Sequence, residues 1–371
     1  MTNRVDLYQP ERKGTALPAG GASVFVEGRL CPELEVVEIV RGGTGEFSTA
    51  RMRNNADGEI EIGKPVVIKW LYNNLYPAGG AEGIVIFAGE VEIIEMATGP
   101  DGESIEIVAR DFSLALERVN VSGRWERGVD GQIVFAATAK TVFNENGLPN
   151  ATAEIVECNG SRIRVFAAEG VESRLWDFAE IIGYLLCEYL PAGQLSIPEV
   201  SRIRALTAGE TIEDLDVTGR SLLEAISRCC EQAGVGFKFV PRLGETGPEQ
   251  AIVFYRTGSG PSTGSTRLTT GALGTGRVVE LNLQKQGERL SISKTNVWKV
   301  NASRNAQGDT FEVQTPYLAI GFEAGDIVGA NPDSRDVLST RNNINPAIIE
   351  RVRMDFRQQT TQLKIVRSRT Y

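Results

Sequence analysis

The spacing of apolar residues along the sequence constrains the fold of this chain most. The spacing is typical of strands near both ends and typical of helices only in the middle. Ile84–Met96 and Ile105–Arg110 alternate apolar with charged positions, which is the period-two pattern of a half-buried strand. The pattern returns at Ile348–Phe356 and Gln362–Arg369. The sequence therefore predicts a mainly β protein with an α+β insert, in which two split β-barrel or sandwich domains flank a helix-containing middle region.

The middle region predicts two helices. Over 174–190 apolar residues recur at three- and four-residue steps, and Pro191 stops the helix. The other helix begins at Ser221, which forms the capping box S-x-x-E with Glu224, and Gly234 ends it.

A length of 371 residues exceeds one ordinary hydrophobic core and predicts several domains. Asp111 is expected to cap a short helix at the end of the first of them. The segment 258–276 is rich in Gly, Ser and Thr and predicts a linker. The predicted divisions are an N-terminal β domain over 1–118, an insert over 119–205, a small α+β module with the linker over 206–276, and a C-terminal β domain over 277–371.

Composition makes an enzyme a poor expectation. The chain contains no histidine, which removes the usual general base and zinc ligand. Its five cysteines are scattered and predict core packing, with neither disulfides nor a metal site. Acidic pairs within 210–216 could be offered as hydrolase carboxylates, but nothing beside them in sequence orients a substrate. The prediction is a non-enzymatic protein with no catalytic, cofactor-binding or metal-binding residue and no cofactor.

Charge and hydropathy limit the environments in which the chain can work. No apolar run is long enough for a membrane-spanning segment, and the N-terminus lacks the apolar core of a signal peptide. The net charge of −9 disfavours tight DNA binding, whereas a wall past which DNA slides would benefit from that repulsion. The segment 277–371, in contrast, has more basic than acidic residues.

Two segments carry a family resemblance. Phe87–Val91, followed by the strand Ile105–Arg110 and by Asp111–Leu116, resembles the first domain of bacteriophage tail baseplate hub proteins. Asp216–Ile226, continued to Phe239, is similar to the helix–strand unit in the middle of those hubs. The resemblance extends to the hub part of type VI secretion spike proteins, which share that fold.

The resemblance implies a structural protein of the virion tail, assembled in the host cytoplasm. Such a hub is a ring, here expected to be a homotrimer in which each chain supplies two tube-like β domains. It would link the tail tube or distal tail ring to tip, spike or fibre proteins, adjoin the tape measure protein, and gate the channel for DNA that passes without specific binding. The alternatives are a distal tail or tube ring protein, a secretion spike without its needle, and a carboxylate-based cell-wall hydrolase.

Two sets of charged residues are candidates for functional surfaces. The first is an acidic set on one predicted hairpin, which could line the channel or be an ordinary solvated face: Glu90, Glu92, Glu95, Glu103 and Glu106. The second is a basic set near the C-terminus, which could pair with an acidic subunit or phosphates or simply face solvent: Arg351, Arg353, Arg357 and Lys364.

Overall fold

A computed structural model describes most of the chain. The residues that it describes are 20–43, 45–54, 60–72, 84–99, 102–158, 161–167, 172–190, 195–244, 247–256, 262–267, 280–283, 299–304, 308–315, 318, 322–325, 327–329 and 348–368.

The chain divides into two compact units. Unit 1 contains Met1–Asp111, Glu245–Pro248 and Gly258–Tyr371, and unit 2 contains Phe112–Gly244 and Glu249–Thr257. Both ends of the chain therefore belong to one unit, and most of the middle forms the other. The division into four domains stays a prediction.

The described elements confirm the mainly β class with helices confined to the middle. In chain order the strands are β1 Gly20–Val26, β2 Arg29–Leu30, β3 Leu34–Arg41, β4 Thr49–Asn54, β5 Pro65–Tyr72, β6 Ile84–Gly99, β7 Gly102–Asp111, β8 Arg124–Arg127, β9 Ile133–Ala136, β10 Val142–Phe143, β11 Asn150–Cys158, β12 Ser161–Ala167, β13 Glu172–Arg174, β14 Leu195–Ser196, β15 Leu215–Asp216, β16 Val235–Gly244, β17 Gly247–Arg256, β18 Ser262–Arg267, β19 Glu280–Leu283, β20 Lys299–Arg304, β21 Gly308–Thr315, β22 Ile327–Gly329, β23 Ile348–Asp355 and β24 Thr360–Ser368. The helices are α1 Leu114–Arg118, α2 Phe178–Tyr189, α3 Val200–Thr207 and α4 Leu222–Ala233, with a 3-10 turn at Glu145–Gly147.

Unit 1 is built on one large sheet in the order β19-β20-β21-β24-β23-β3-β4-β7-β6-β5-β1-β2, with β22 paired to β23 and β18 to β22. Part of the predicted linker 258–276 thus forms β18, and its other residues lie outside the described ones. The two ends of the chain meet where β23 pairs antiparallel with β3, so that Met354 lies opposite Ile39. Both side chains are fully buried in the hydrophobic core.

Two details fix the geometry of this sheet. Arg41, which is buried, donates from its guanidinium to the carbonyl oxygens of Phe322 and Ile86 at 2.9 and 3.0 Å. Gly89 on β6 lies so close to β7 that a Cβ atom would stand 2.1 Å from the carbonyl oxygen of Arg110. Only glycine fits that approach without moving the backbone.

Unit 2 combines small sheets with the four helices. Its sheets have the orders β13-β11-β12-β8-β9, β14-β17-β16 and β10-β15. The predicted helix over 174–190 begins only at Phe178, because Glu172–Arg174 pairs with β11 as β13. Asp177 then caps it through a full capping box with Glu180. Helix α4 lies where it was expected, with Ser221 accepting the Glu224 N–H and Gly234 in the left-handed conformation.

An aromatic cluster forms the core of unit 2. The rings of Phe143, Phe166, Trp176 and Tyr184 contact one another with centroids 5.1–5.7 Å apart. All four are fully buried, and edge-to-face contacts of this kind add to the hydrophobic contribution of burial.

Two sequence expectations are wrong. Cys187 is disulfide-bonded, although spacing along the chain gave no sign of it, because cysteines distant in sequence meet only in the fold. Asp111 does not cap a helix; its Oδ2 accepts the Ser48 N–H at 2.8 Å, and Ser113 precedes α1 without a side-chain cap. Cys229 and Cys230 are buried as expected, and burial raises the pKa of both thiols well above the usual value.

Candidate functional site

Apart from Arg357, which lies beyond the end of β23, and Glu103, the two predicted sets of charged residues lie on the same face of the large sheet of unit 1. Residues directly opposite each other on paired strands point to the same face, and the registers of β21, β24, β23, β3, β4, β7 and β6 connect the sets without a break. We call this surface the charged sheet face. Its members are Glu312, Gln314, Gln362, Lys364, Arg351, Arg353, Glu35, Glu38, Arg51, Arg53, Glu106, Arg110, Glu90 and Glu95, with Glu92 on a bulge between β6 and β7.

The acidic set is partly neutralised within the sheet. Glu92 pairs with Arg110 at 2.9 Å and Glu106 with Arg51 at 2.8 Å, while Glu95 is exposed. Glu90 is half-buried on the same face, and the side chain of Glu103 lies outside the described residues. This end of the face is therefore a mixed-charge surface, and its role as a channel lining stays a prediction.

The basic set pairs mainly with the N-terminal part of the chain. Arg351 donates to both carboxylate oxygens of Glu46 at 2.6 and 3.1 Å. Arg353 pairs closely with Glu38, and Arg357 lies 3.4 Å from Glu35.

The fourth member, Lys364, pairs with Glu350 inside the C-terminal part. The sequence left open whether these residues face an acidic subunit, phosphates or solvent, and the structure places acidic partners for them within unit 1. Their role at an interface with a second protein stays a prediction.

The pairs on this face are exposed enough to exchange partners. The side chains of Arg351 and Glu46 keep 46% and 38% of their surface in solvent, and such pairs contribute only about 0–1 kcal/mol to stability. The hydrogen bond to Glu46 raises the pKa of Arg351, and that to Glu106 raises the pKa of Arg51. Both guanidinium groups are therefore charged at neutral pH.

A groove of about 330 Å³ crosses β21, β24 and β23 on the charged sheet face. Side chains of both charge signs and two amides line it. These polar residues are Glu312, Gln314, Arg351, Arg353, Gln362 and Lys364. The groove offers hydrogen-bonding groups to a polar surface rather than an apolar pocket for a small molecule.

The acidic residues considered for catalysis, Glu210, Glu213, Asp214 and Asp216, are all exposed. The Asp216 carboxylate accepts the N–H of Thr218 at 2.9 Å. Over the described part of the chain no group of three or more metal-ligating side chains occurs.

None of the described helices is long and apolar enough to cross a membrane.

Unit 2 contains a buried ion cluster that sequence reasoning missed. Glu180 lies 2.6 Å from Arg174, 3.1 Å from Arg204 and 3.4 Å from Arg164. Asp177 also binds Arg204, at 3.0 Å. The arginines come from β12, β13 and α3, so no local spacing could have revealed the cluster. It contacts the aromatic core through Arg164, which stacks over Trp176. Glu180 and Arg164 are buried, whereas Arg174 and Arg204 keep about half of their side-chain surface in solvent.

The sequence matches no known protein-family profile and no curated protein. Among solved structures, the chain is similar to the 43 kDa tail protein of prophage MuSo2 from Shewanella oneidensis. The identity is 10%, the TM-score is 0.47, and the match covers 94% of this chain and 98% of that one. A tail protein from Neisseria meningitidis MC58 is similar at 10% identity and a TM-score of 0.44, with 94% and 96% covered.

A third similar structure is an Escherichia coli component of the type VI secretion system, described as resembling the T4 tail proteins gp27 and gp5. It shares 10% identity and a TM-score of 0.47, with 94% of this chain and 77% of that chain covered. Phage tail proteins and a type VI secretion component both occur among these similar structures. At these identities the likeness concerns the fold and says nothing of partners.

Proposed function

We propose that this protein is a structural baseplate hub of a phage tail. In this role it forms a homotrimeric ring at the distal end of the tail tube. The ring links the tube or distal tail ring to tip, spike or fibre proteins, adjoins the tape measure protein and gates the DNA channel. The virion tail, assembled in the host cytoplasm, is the corresponding location.

The observation that carries the proposal is the pairing of β3 with β23. It joins strands from the two ends of the chain into one sheet, while residues 112–244 form most of a separate unit. A hub in which both chain ends supply the ring and the middle is an insert requires this arrangement.

The open edges of the sheet support assembly. Among the described residues, the strand path begins at β19 and ends at the two-residue β2, and most of β1 pairs only with β5. A neighbouring chain can continue such a sheet, whereas an uncovered edge invites aggregation. Three chains would then close the ring.

The charged sheet face supports a surface past which DNA moves without binding. Most of its cations, namely Arg51, Arg110, Arg351, Arg353 and Lys364, pair with carboxylates, and the chain as a whole carries a net charge of −9. Phosphates therefore find few free cations on it, so non-specific DNA affinity is weak. We place this face toward the channel.

The first test is the solution mass by light scattering over a range of protein and salt concentrations. We expect a trimer whose population grows with concentration. A hexamer would contradict the three-chain ring and favour a distal tail or tube ring protein. A monomer that persists at the highest concentration, and that also fails to form rings in electron micrographs of purified tails, would remove the proposal.

The channel assignment has a separate test in the phage. Replacing Glu90 and Glu95 by lysine leaves the ion pairs of Glu92 and Glu106 in place and adds free cations to the face. We expect normal particle assembly with slower DNA release after triggering. The matched control is Glu213→Lys, an exposed reversal in unit 2, which should release DNA at the wild-type rate; equal slowing in both would contradict the channel placement.

A further inference from the structure

Strand β9 of unit 2 is an edge strand with apolar side chains on both faces. It occupies the end of the sheet β13-β11-β12-β8-β9 and pairs only with β8. Val134 and Phe135, whose side chains point to opposite faces, are 42% and 43% exposed. No charged residue or proline lies within Ile133–Ala136, although these are the devices that usually protect a free edge.

The register shows which backbone groups this edge presents. The Tyr184 hydroxyl accepts the Trp125 N–H at 2.7 Å and donates to the Trp125 carbonyl at 3.1 Å. The N–H and the C=O of Trp125 therefore both point away from β9. Phe135 lies directly opposite Trp125. In an antiparallel pair, two directly opposite residues either both direct their N–H and C=O at the other strand or both direct them away from it. The N–H and C=O of Phe135 therefore point outward.

Ile133, two residues earlier, has the same orientation by the period of the strand. Among the described residues, neither Ile133 nor Phe135 has a hydrogen-bond partner for these outward groups. The edge therefore offers two donors and two acceptors at the spacing of a sheet ladder.

The hairpin that carries the edge is held in place. The Gly123 carbonyl accepts from the hydroxyls of Thr141 and Tyr189 at 2.5 and 2.6 Å. Gly123 has a positive φ of 83°, and a Cβ there would stand 2.8 Å from the carbonyl oxygen of Ala136. An edge fixed in this way loses little conformational entropy when a strand is added.

The charges around the edge favour an acidic partner. Arg127 lies opposite Ile133 and has no ion pair within the described part of the chain. Lys140 beyond the strand is exposed, but it already interacts with the carboxylate of Asp216. The one nearby carboxylate in the turn, that of Asp130, already accepts the Gln132 N–H at 3.1 Å.

We propose that β9 is a docking edge for an extended segment of another protein. The segment is apolar at alternate positions, carries an acidic residue that reaches Arg127, and adds to the sheet as a further strand. A second copy of this chain is a poorer occupant, because the same edge of that copy, Ile133–Ala136, has no acidic residue to reach Arg127. The site lies in unit 2 and does not depend on the ring proposed above.

The test uses the full chain and a fluorescent peptide in which valine alternates with threonine, with glutamate at one end. The control peptide has the same sequence but carries N-methyl groups on alternate backbone nitrogens, so it cannot extend a ladder. We expect anisotropy to show binding of the first peptide at least about tenfold tighter than the second, because two or more backbone hydrogen bonds are lost. The amides of Ile133 and Phe135 should also exchange at least about tenfold more slowly with the first peptide bound.

Matched variants distinguish peptide binding at the edge from non-specific binding elsewhere on the protein. Val134→Lys puts a charge on the edge, and Phe135→Pro removes one outward N–H without touching the ladder to β8; both should weaken binding by about tenfold or more. Val129→Lys removes a side chain that is 77% exposed in the same hairpin, and Phe135→Ala keeps the N–H. These two should stay within about threefold of wild type, and circular dichroism checks that all four variants fold.

Three results would overturn the proposal. They are equal binding of the two peptides, equal losses in Val129→Lys and Val134→Lys, and unchanged exchange at Ile133 and Phe135 under saturating peptide. Self-association that Val134→Lys abolishes would instead assign the edge to a second copy of the chain. Each result is independent of whether the protein forms a trimer.

Discussion

On the exposed sheet face of unit 1 the guanidinium of Arg351 pairs with Glu46, whereas in unit 2 that of Arg164 lies beside Glu180 in the interior. The first pair keeps 46% and 38% of its side-chain surface in solvent, and the second only 2% and 4%. The same chemistry therefore serves two purposes. A solvated pair is weak and can be exchanged for a partner's charges, while a buried one is strongly coupled to the fold.

The two cores differ as well. Unit 1 buries mainly aliphatic side chains of alternating strands, such as Ile39, Met52 and Ile107, across strands from both chain ends. Unit 2 packs four aromatic rings against helix α2. The core of unit 1 is therefore spread along the strands of one sheet, whereas that of unit 2 is concentrated in one cluster of rings.

The largest effect is expected from the aromatic core of unit 2. Replacing Phe166 by alanine removes contacts to three buried rings and leaves a cavity, so the free energy of unfolding should fall by about 3–5 kcal/mol. Denaturant titration followed by circular dichroism measures the loss. Leu148→Ala, at a site 65% exposed, is the control and should change stability by less than about 0.5 kcal/mol; similar losses in both would mean that the rings do not form the stabilising core.

An intermediate effect on stability is expected when one buried arginine in unit 2 and one solvated arginine in unit 1 are each replaced by methionine. Arg164→Met removes a cation from the buried cluster and the donor to the Leu175 carbonyl, which it binds at 3.1 Å, so stability should fall by about 2–3 kcal/mol. Arg351→Met removes a solvated pair and should cost less than about 1 kcal/mol. Comparable losses in the two variants would contradict the distinction between the units.

The smallest effect is the response of these two variants to salt. Raising the ionic strength from 0.05 to 0.5 M shortens the screening length severalfold. The stability difference between wild type and Arg351→Met, already below about 1 kcal/mol, should approach zero, and that for Arg164→Met should hardly change. Unfolding curves at both salt concentrations measure these stability differences. If salt reduced the difference for Arg164→Met as much as that for Arg351→Met, the Arg164 cluster would be open to solvent.

Much of the local structure could be predicted from the sequence. The alternation of Ile105–Arg110 predicted a strand with Ile107 and Ala109 inward, and both are buried. The cap at Ser221 and the stop at Gly234 fixed helix α4 to the residue. These features depend on neighbours a few positions apart, which is the range over which periodicity and capping act.

The start of α2 shows where that range ends. Residues 174–177 fit the helical pattern, yet Arg174 pairs with Asn150 of β11. The helix therefore begins only after the N-cap residue Asp177. A competing strand twenty or more residues away decided the boundary, and no local propensity carries that information.

The sequence by itself determined the buried side of strands such as β7 and the positions of α4 and most of α2, but it did not predict α3. The tertiary structure alone decided that β3 pairs with β23, that Glu46 reaches Arg351 across 305 positions of chain, and that Cys187 finds a disulfide partner. Periodicity tells which side of a strand is apolar, but not which strand lies beside it. That choice is made by packing and loop closure over the whole unit, which only the folded chain records.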